Sequence, residues 1–64
     1  MNVEVKDSVR STYGRNSDKW GSVLHLDAGC AYVDYGGQVY VEGDFYQDAY
    51  WVPISTIVDT KKGG

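Results

Sequence analysis

The residues best suited to chemistry in this chain are its one histidine, His25, and its one cysteine, Cys30. Side chains of these types can form a nucleophile–base pair, in which the imidazole removes the thiol proton. The two residues stand on either side of a turn signal at residues 27–29, and the pattern offers no third side chain to orient the imidazole. A small strand residue is therefore the better interpretation of Cys30.

Metal, phosphate and acid–base sites are also not predicted. One His excludes a His-based zinc site, and one Cys excludes a structural zinc site. Gly36-Gly37 precedes a strand pattern, whereas a phosphate-binding loop needs a following helix. Asp44 and Asp48 have the residue type for general acid–base catalysis, but a solvated loop explains them better. We therefore expect no enzyme, no metal ion and no cofactor.

The stretch from Ala31 to Trp51 has a composition typical of a binding surface. It contains seven of the nine aromatic residues, interleaved with four acids. Six Tyr in a chain of 64 residues cannot all be buried, because each hydroxyl needs a hydrogen-bond partner or water. Some of these aromatic side chains should therefore lie on the surface.

Charge is unevenly distributed along the chain. Residues 1–20 carry +1, residues 21–60 carry -6 without a single Lys or Arg, and Lys61 and Lys62 bring the total to -3. A nucleic-acid-binding protein needs a basic face to displace counterions from phosphates. Only the first twenty residues could supply such a face, and the rest of the chain suits a basic protein partner better.

Alternation of apolar and polar residues with a period of two predicts an all-β fold. The predicted strands cover residues 2–6, 9–13, 20–26, 30–35, 38–46 and 50–54. Gly36-Gly37 predicts a hairpin turn inside this set, and Gly43-Asp44, after Glu42, predicts a bulge or a turn. No segment has helical periodicity, so we expect at most one helical turn. Residues 55–58 form either this 3₁₀ turn, with Ser55 as its cap, or a last short strand. Five to six short strands predict a small barrel formed by one domain, residues 1–60, with a flexible tail at 61–64.

The inward positions of these strands predict the core. Pro53 cannot donate to a strand ladder, which places its strand at a sheet edge or places Pro53 at the strand's end. Tyr13 should face inward, and Phe45 should return to the core. The core is expected to contain Val3, Val5, Val9, Leu24, Leu26, Val33, Val39, Val41, Val52 and Ile54.

Three fragments resemble SH3-like small barrels. Residues 5–10 (VKDSVR), followed by residues 19–24 (KWGSVL), look like the opening of many such domains, among them KOW, Tudor-like and CAP-Gly domains. Residues 50–58 (YWVPISTIV) resemble the closing segment of SH3 domains, in which a strand ends at Pro and a 3₁₀ turn leads to the last strand. Residues 31–35 (AYVDY) resemble the ALYDY motif, which in SH3 domains stands near the start rather than in mid-chain. The resemblance is to the superfold over residues 3–58 and implies a barrel, but no function.

Alternation also predicts which side chains form the working surface. If Ala31, Val33 and Tyr35 face inward, their neighbours face solvent. The expected partner-binding residues are Tyr32, Asp34, Tyr40, Glu42, Asp44, Tyr46, Asp48 and Trp51. Arg or Lys side chains can stack on such aromatics while pairing with the acids. The sequence therefore predicts a protein-binding module for a basic protein surface or peptide, an inhibitor or adaptor of the kind that phages and plasmids encode.

Other interpretations remain open at this point. A solvated strand face with no partner is the plainest. A KOW-like nucleic-acid-binding domain would use Lys6, Arg10, Arg15, Lys19 and Trp20, and an acidic face that mimics phosphates is a third alternative. An exposed edge strand could pair two copies. The unpaired Cys30 and the lack of a long apolar run predict a cytoplasmic protein that does not enter a membrane.

Overall fold

Residues 2–63 are described by a computed structural model, and they form one antiparallel sheet. The elements are β1 (Ser8–Ser11), β2 (Trp20–Asp27), β3 (Cys30–Val41), β4 (Asp44–Pro53), one turn of 3₁₀ helix (Ile54–Thr56) and β5 (Ile57–Lys61). The strand order is β4-β3-β2-β1-β5, so the last strand pairs with the first and β4 lies at an edge. The predicted all-β class is confirmed, and the described residues contain no helix longer than one turn.

The hairpin expected at Gly36-Gly37 is wrong, because β3 continues through these glycines to Val41. Three residues of β3 face one residue of β4 at this point, which makes it a bulge. Gly36 accommodates the bulge with a φ of 82°, and its N–H donates to the Asp34 carboxylate. The chain reverses instead at Glu42-Gly43, where both residues have positive φ, as a two-residue hairpin turn requires.

Both ends of the domain differ from the sequence-based expectation. Residues 2–6 form no strand, because the chain turns at Val5 and Lys6 and passes beside Val23, with the Lys6 N–H donating to the Val23 carbonyl. The tail expected at residues 61–64 does not begin at Lys61, since Lys61 is the last residue of β5 and pairs with Ser8 of β1. Gly64 lies outside the described residues.

The core is made mainly of small aliphatic side chains. Its buried members are Val3, Val9, Val23, Ala31, Val33, Val52 and Ile57. Four of these were in the predicted core and Ala31 was expected to face inward, whereas Val23 and Ile57 were missed.

The predicted face of β2 is wrong. Gly21 and Val23 are buried, whereas Leu24 and Leu26 are exposed. Gly21 lies directly against Val33, and a bulge between Val23 and His25 disturbs the alternation. A glycine was therefore the inward residue, because the opposing strands leave no room there for a side chain.

Six further residues that were predicted to face inward are exposed or only half-buried. Val5, Val41, Tyr13 and Phe45 are exposed. Two other predicted core positions, Val39 and Ile54, are only half-buried. Val5 and Tyr13 lie outside the strands, and Ile54 lies in the 3₁₀ turn. The other three positions lie beyond Asp34, where β3 no longer pairs with β2, so alternation there does not produce burial.

The segment after Pro53 agrees with the expected strand, 3₁₀ turn and strand. Ser55 does not cap the turn, which has no side-chain cap; instead the Thr56 hydroxyl donates from Oγ1 to the Pro53 carbonyl at 2.6 Å. Thr56 also shares a hydrogen bond with Ser11 Oγ at 2.8 Å, which ties the turn to β1.

Candidate functional site

One face of the sheet, called the outer face here, carries a row of three ring side chains. His25, Tyr32 and Trp51 are direct partners across β2, β3 and β4. The ring centroids of His25 and Tyr32 are 6.1 Å apart, and those of Tyr32 and Trp51 are 5.3 Å apart. Such cross-strand pairs stabilise the sheet and also present a continuous aromatic surface. The predicted outward positions of Tyr32 and Trp51 are therefore confirmed, and His25 joins them.

Asp34 lies on the same face, one cross-strand pair further along β3. Its carboxylate accepts hydrogen bonds from the Gly36 N–H at 2.8 Å and from the Gln47 side-chain amide. These bonds fix the orientation of the carboxylate at the start of the bulge. Among residues 2–63, no Lys or Arg lies within ion-pair distance of Asp34.

Beyond the bulge, residues 38–47 form a two-stranded arm, called the distal hairpin here. Tyr40 pairs with Phe45 on the outer face, with ring centroids 4.9 Å apart. Their exposed fractions are 64% and 68%, and Tyr46 on the opposite face of the hairpin is 55% exposed. Val41 beside the turn is exposed as well. The hairpin therefore holds four large apolar side chains on a projection that only its own two strands support.

Two acids belong to the tip of the distal hairpin. Glu42 is the first residue of the turn, and Asp44 is the first residue of β4, opposite Val41. Both are exposed. The structure thus brings Tyr40, Glu42, Asp44 and Tyr46 together at one end of the molecule, with Phe45 added to the predicted set.

Asp48 is the predicted partner-binding residue whose side chain lies mostly buried. It is a residue of β4 rather than of a solvated loop, and its side chain is 15% exposed. Its carboxylate pairs with Arg15 and accepts a hydrogen bond from Asn16 Nδ2 at 3.0 Å. Asp48 therefore anchors the loop between β1 and β2 to β4, and both of its carboxylate oxygens are engaged within the chain.

The same anchor includes two tyrosines on the inner side of the sheet. Tyr35 and Tyr50 stack with ring centroids 5.3 Å apart, and the Tyr50 hydroxyl accepts from the Asn16 N–H at 3.1 Å. Burial, together with the neighbouring Tyr50 and the charge of Asp48, raises the pKa of the Tyr35 phenol to about 12. Both tyrosines therefore act as packing residues.

Several basic side chains are paired within the chain. Arg10 contacts Asp18 and Asp59 at 3.2 and 3.3 Å. Arg15 pairs with Asp48, and its guanidinium lies 4.8 Å from the centroid of the Tyr50 ring.

At the C-terminal end, Lys62 Nζ lies 3.1 Å from both Glu4 and Asp7, and these carboxylates raise the pKa of Lys62. The pKa of Asp7 is held below its usual value, chiefly because the carboxylate accepts the Glu4 N–H. This cluster fastens the two ends of the chain together.

Residues 2–63 contain no group of three or more His, Cys, Asp or Glu side chains placed to hold a metal ion. His25 belongs to the aromatic row, and Cys30 is a half-buried residue at the start of β3. Within the same range, no helix has the length and apolarity needed to cross a membrane.

Phe45 is the residue of this surface that the sequence argument misplaced. The signal was the dipeptide Glu42-Gly43, because a turn there makes Tyr40 and Phe45 cross-strand partners.

No family model, curated protein or solved structure matches this chain.

Proposed function

We propose that this protein is a non-enzymatic protein-binding module that presents an acidic aromatic face to a basic protein surface or peptide. The observation that carries the proposal is the distal hairpin, where exposed Tyr40 and Phe45 stand beside Glu42 and Asp44. The face continues along β3 to Asp34 and Tyr32. Along the paired strand β4, from Phe45 to Trp51, it extends roughly 20 Å, at about 3.3 Å per residue.

Exposed aromatic clusters of this kind support a binding role. Soluble monomers rarely expose contiguous apolar patches beyond a few hundred Å², and larger ones mark interaction sites. Tyr and Phe side chains have few rotatable bonds, so they offer contact area with a small loss of entropy on binding. In the distal hairpin, the cross-strand pair of Tyr40 and Phe45 holds both rings in place before a partner arrives.

Charge indicates the chemistry of the partner. Residues 21–60 contain six acids and no Lys or Arg, and two of the acids lie at the hairpin tip. Charges within about 8 Å interact at physiological ionic strength. A basic surface would therefore be attracted to the tip, and its Arg or Lys side chains could stack on the rings there.

The internal ion pairs weigh against the nucleic-acid alternative. Of the basic residues that it requires, Arg10 and Arg15 are paired with acids of the same chain. Lys6 and Lys19 are left to contact phosphates, and each phosphate contact contributes only a fraction of the affinity of a nucleic-acid-binding protein. The acidic half of the chain would repel a duplex.

An SH3-like barrel remains our proposal for the superfold. Its support is the strand that ends at Pro53, the 3₁₀ turn at Ile54–Thr56 and the last strand that pairs with the first. Within this proposal the protein acts in the cytoplasm as a small inhibitor or adaptor, since the unpaired Cys30 suits a reducing compartment.

Capture from a nuclease-treated cell lysate tests the proposal. The wild-type protein should retain a basic protein at low salt and lose it at high salt. The double variant Glu42→Lys with Asp44→Lys should retain much less, whereas Asp27→Lys, at the far end of β2, is the matched control and should behave as wild type. The alternatives predict other results: nucleic acid captured without nuclease, a dimer of the protein by light scattering, or no partner at all.

A further inference from the structure

A surface cleft lies where β3 stops pairing with β2, beside Ser22 and Asp34 at the start of the bulge. Its volume is about 300 Å³, at the lower end of the range for small-ligand sites. The lining residues are Ser8, Trp20, Gly21, Ser22, Asp34, Tyr35 and Gly36. Ser8, Ser22 and Asp34 are successive partners across β1, β2 and β3, so their side chains share this face.

The lining combines an anion, hydroxyl groups and an aromatic ring. A carboxylate has about four lone-pair positions, and Asp34 uses two of them for Gly36 and Gln47. Two positions therefore remain for a ligand, and Ser8 and Ser22 place hydroxyl oxygens nearby. Such oxygens accept the N–H groups of a cation.

Trp20 already binds a cation within the chain. The ammonium group of Lys61 lies 4.5 Å from the centroid of the Trp20 ring, and Lys61 is the cross-strand partner of Ser8. Trp20 is nevertheless 38% exposed and lines the cleft, so a ligand cation that displaces Lys61 can reach the ring. A cation–π contact of this kind contributes more to binding when it is shielded from water, as it is inside a cleft.

We propose that this cleft is the subsite for one Arg side chain of the basic partner, an inference that rests on the proposed protein-binding function. The guanidinium donates to the free lone pairs of Asp34 and to the serine hydroxyls while it stacks on Trp20. Arg suits the cleft better than Lys, because its planar fork can donate to several acceptors and stack at the same time. The distal hairpin holds the rest of the partner.

The test is a titration of ¹⁵N-labelled protein with Nα-acetyl-arginine amide, followed by NMR. Nα-acetyl-citrulline amide has nearly the same shape without the charge and serves as the matched probe. Arginine amide should shift the signals of Ser22, Asp34, Gly36 and the Trp20 indole saturably, with a dissociation constant on the order of 1 mM. Citrulline amide should bind at least about tenfold more weakly, since it cannot form charge-assisted hydrogen bonds.

Three variants sharpen the result. Asp34→Asn should weaken arginine amide binding about fivefold or more, while Asp27→Asn removes the same charge from the far end of β2 and should leave binding unchanged. Lys61→Gln should strengthen binding about twofold to threefold, because it removes the cation that competes for Trp20. This gain of affinity is a readout that damage to the fold would not produce.

The inference is overturned if citrulline amide binds as well as arginine amide, if the shifts spread over the whole acidic surface, or if Lys61→Gln has no effect. These outcomes are independent of lysate capture. A cleft that does not bind arginine, together with intact capture through the distal hairpin, rejects the subsite alone. Capture that survives the hairpin charge reversal rejects the proposed function whatever the titration shows.

Discussion

The sheet is built of two regions that use the same strands differently. In the body, which is the sheet without the distal hairpin, β3 and β4 bury Val33 and Val52 against β1 and β2. In the distal hairpin, the same two strands continue past the bulge at residues 35–37 and bury nothing fully. The molecule is 38 Å long but only 22 Å wide, so a considerable part of its length is devoted to an element that contributes little to the core. We infer that the body holds the fold and the hairpin is kept for contact.

The first way to test this division is a pair of neighbouring residues in β2. Val23→Ala should lower the free energy of unfolding by about 2–3 kcal/mol, because a fully buried side chain is replaced by a cavity. Leu24→Ala removes more atoms but should cost less than about 1 kcal/mol, since Leu24 is 37% exposed. Urea denaturation of the two variants gives both values. The opposite order would show that the body is packed on the other face of β2.

A pair of glycines gives a second comparison of the same kind. A Cβ at Gly21 would lie 2.5 Å from Val33 Cγ1, so Gly21→Ala should cost about 1–3 kcal/mol through overpacking. A Cβ at Gly37, where the hairpin leaves the body, would have its nearest neighbour, Asp48 Cβ, at 4.0 Å. Gly37→Ala should therefore change the melting temperature little. Equal losses in the two variants would mean that the bulge is as tightly packed as the core.

The body also depends on a charge. Asp7 is 2% exposed, and its carboxylate accepts the Glu4 N–H and pairs with Lys62. Because its pKa is lower in the folded state, the stability that it provides is present above the unfolded pKa of about 3.8 and is lost as the pH falls below that value. Asp7→Asn should lower the melting temperature at pH 7, and melting scans from pH 7 to pH 3 should show a smaller decline for the variant. An equal decline of the melting temperature in the wild type and the variant would show that Asp7 does not contribute to the pH dependence.

The smallest effect on stability should come from the distal hairpin. Tyr40→Ala with Phe45→Ala removes the exposed ring pair and should cost no more than about 1 kcal/mol, the usual contribution of one cross-strand pair. The variant should keep the NMR shifts of the body and lose the captured partner. A large loss of stability would instead make the ring pair a structural element.

Alternation alone was enough to predict the all-β class and the outward positions of Tyr32, Asp34, Tyr40 and Trp51. The position of Tyr40 was correct although the turn was misplaced, because a bulge of two extra residues preserves the alternation beyond it. The turn itself was not predictable from glycine content, since Gly36-Gly37 and Glu42-Gly43 both permit positive φ. Only the pairing along the whole of β4 decides between them.

Other features depend on contacts between distant parts of the chain. Asp48 is shielded by Arg15 and Asn16, more than thirty residues away, so its sequence neighbours gave no sign of its burial. The inward face of β2 is set by the fit of Gly21 against Val33. A hydrophobicity scale ranks Gly21 below Leu24 and Leu26, so it assigns the wrong face to the core. Contacts between distant residues decide both positions, and a local sequence pattern does not contain those contacts.

The most direct test of the central claim is the binding kinetics of the captured basic partner at several salt concentrations. Glu42→Lys with Asp44→Lys should slow association at least about tenfold and flatten its salt dependence, because the tip steers the encounter. Tyr40→Ala should act mainly by faster dissociation, as buried aromatic contacts do. Unchanged association after the charge reversal, with tight binding to DNA or RNA that Lys6→Glu with Lys19→Glu abolishes, would contradict the account and place the working surface in the first twenty residues.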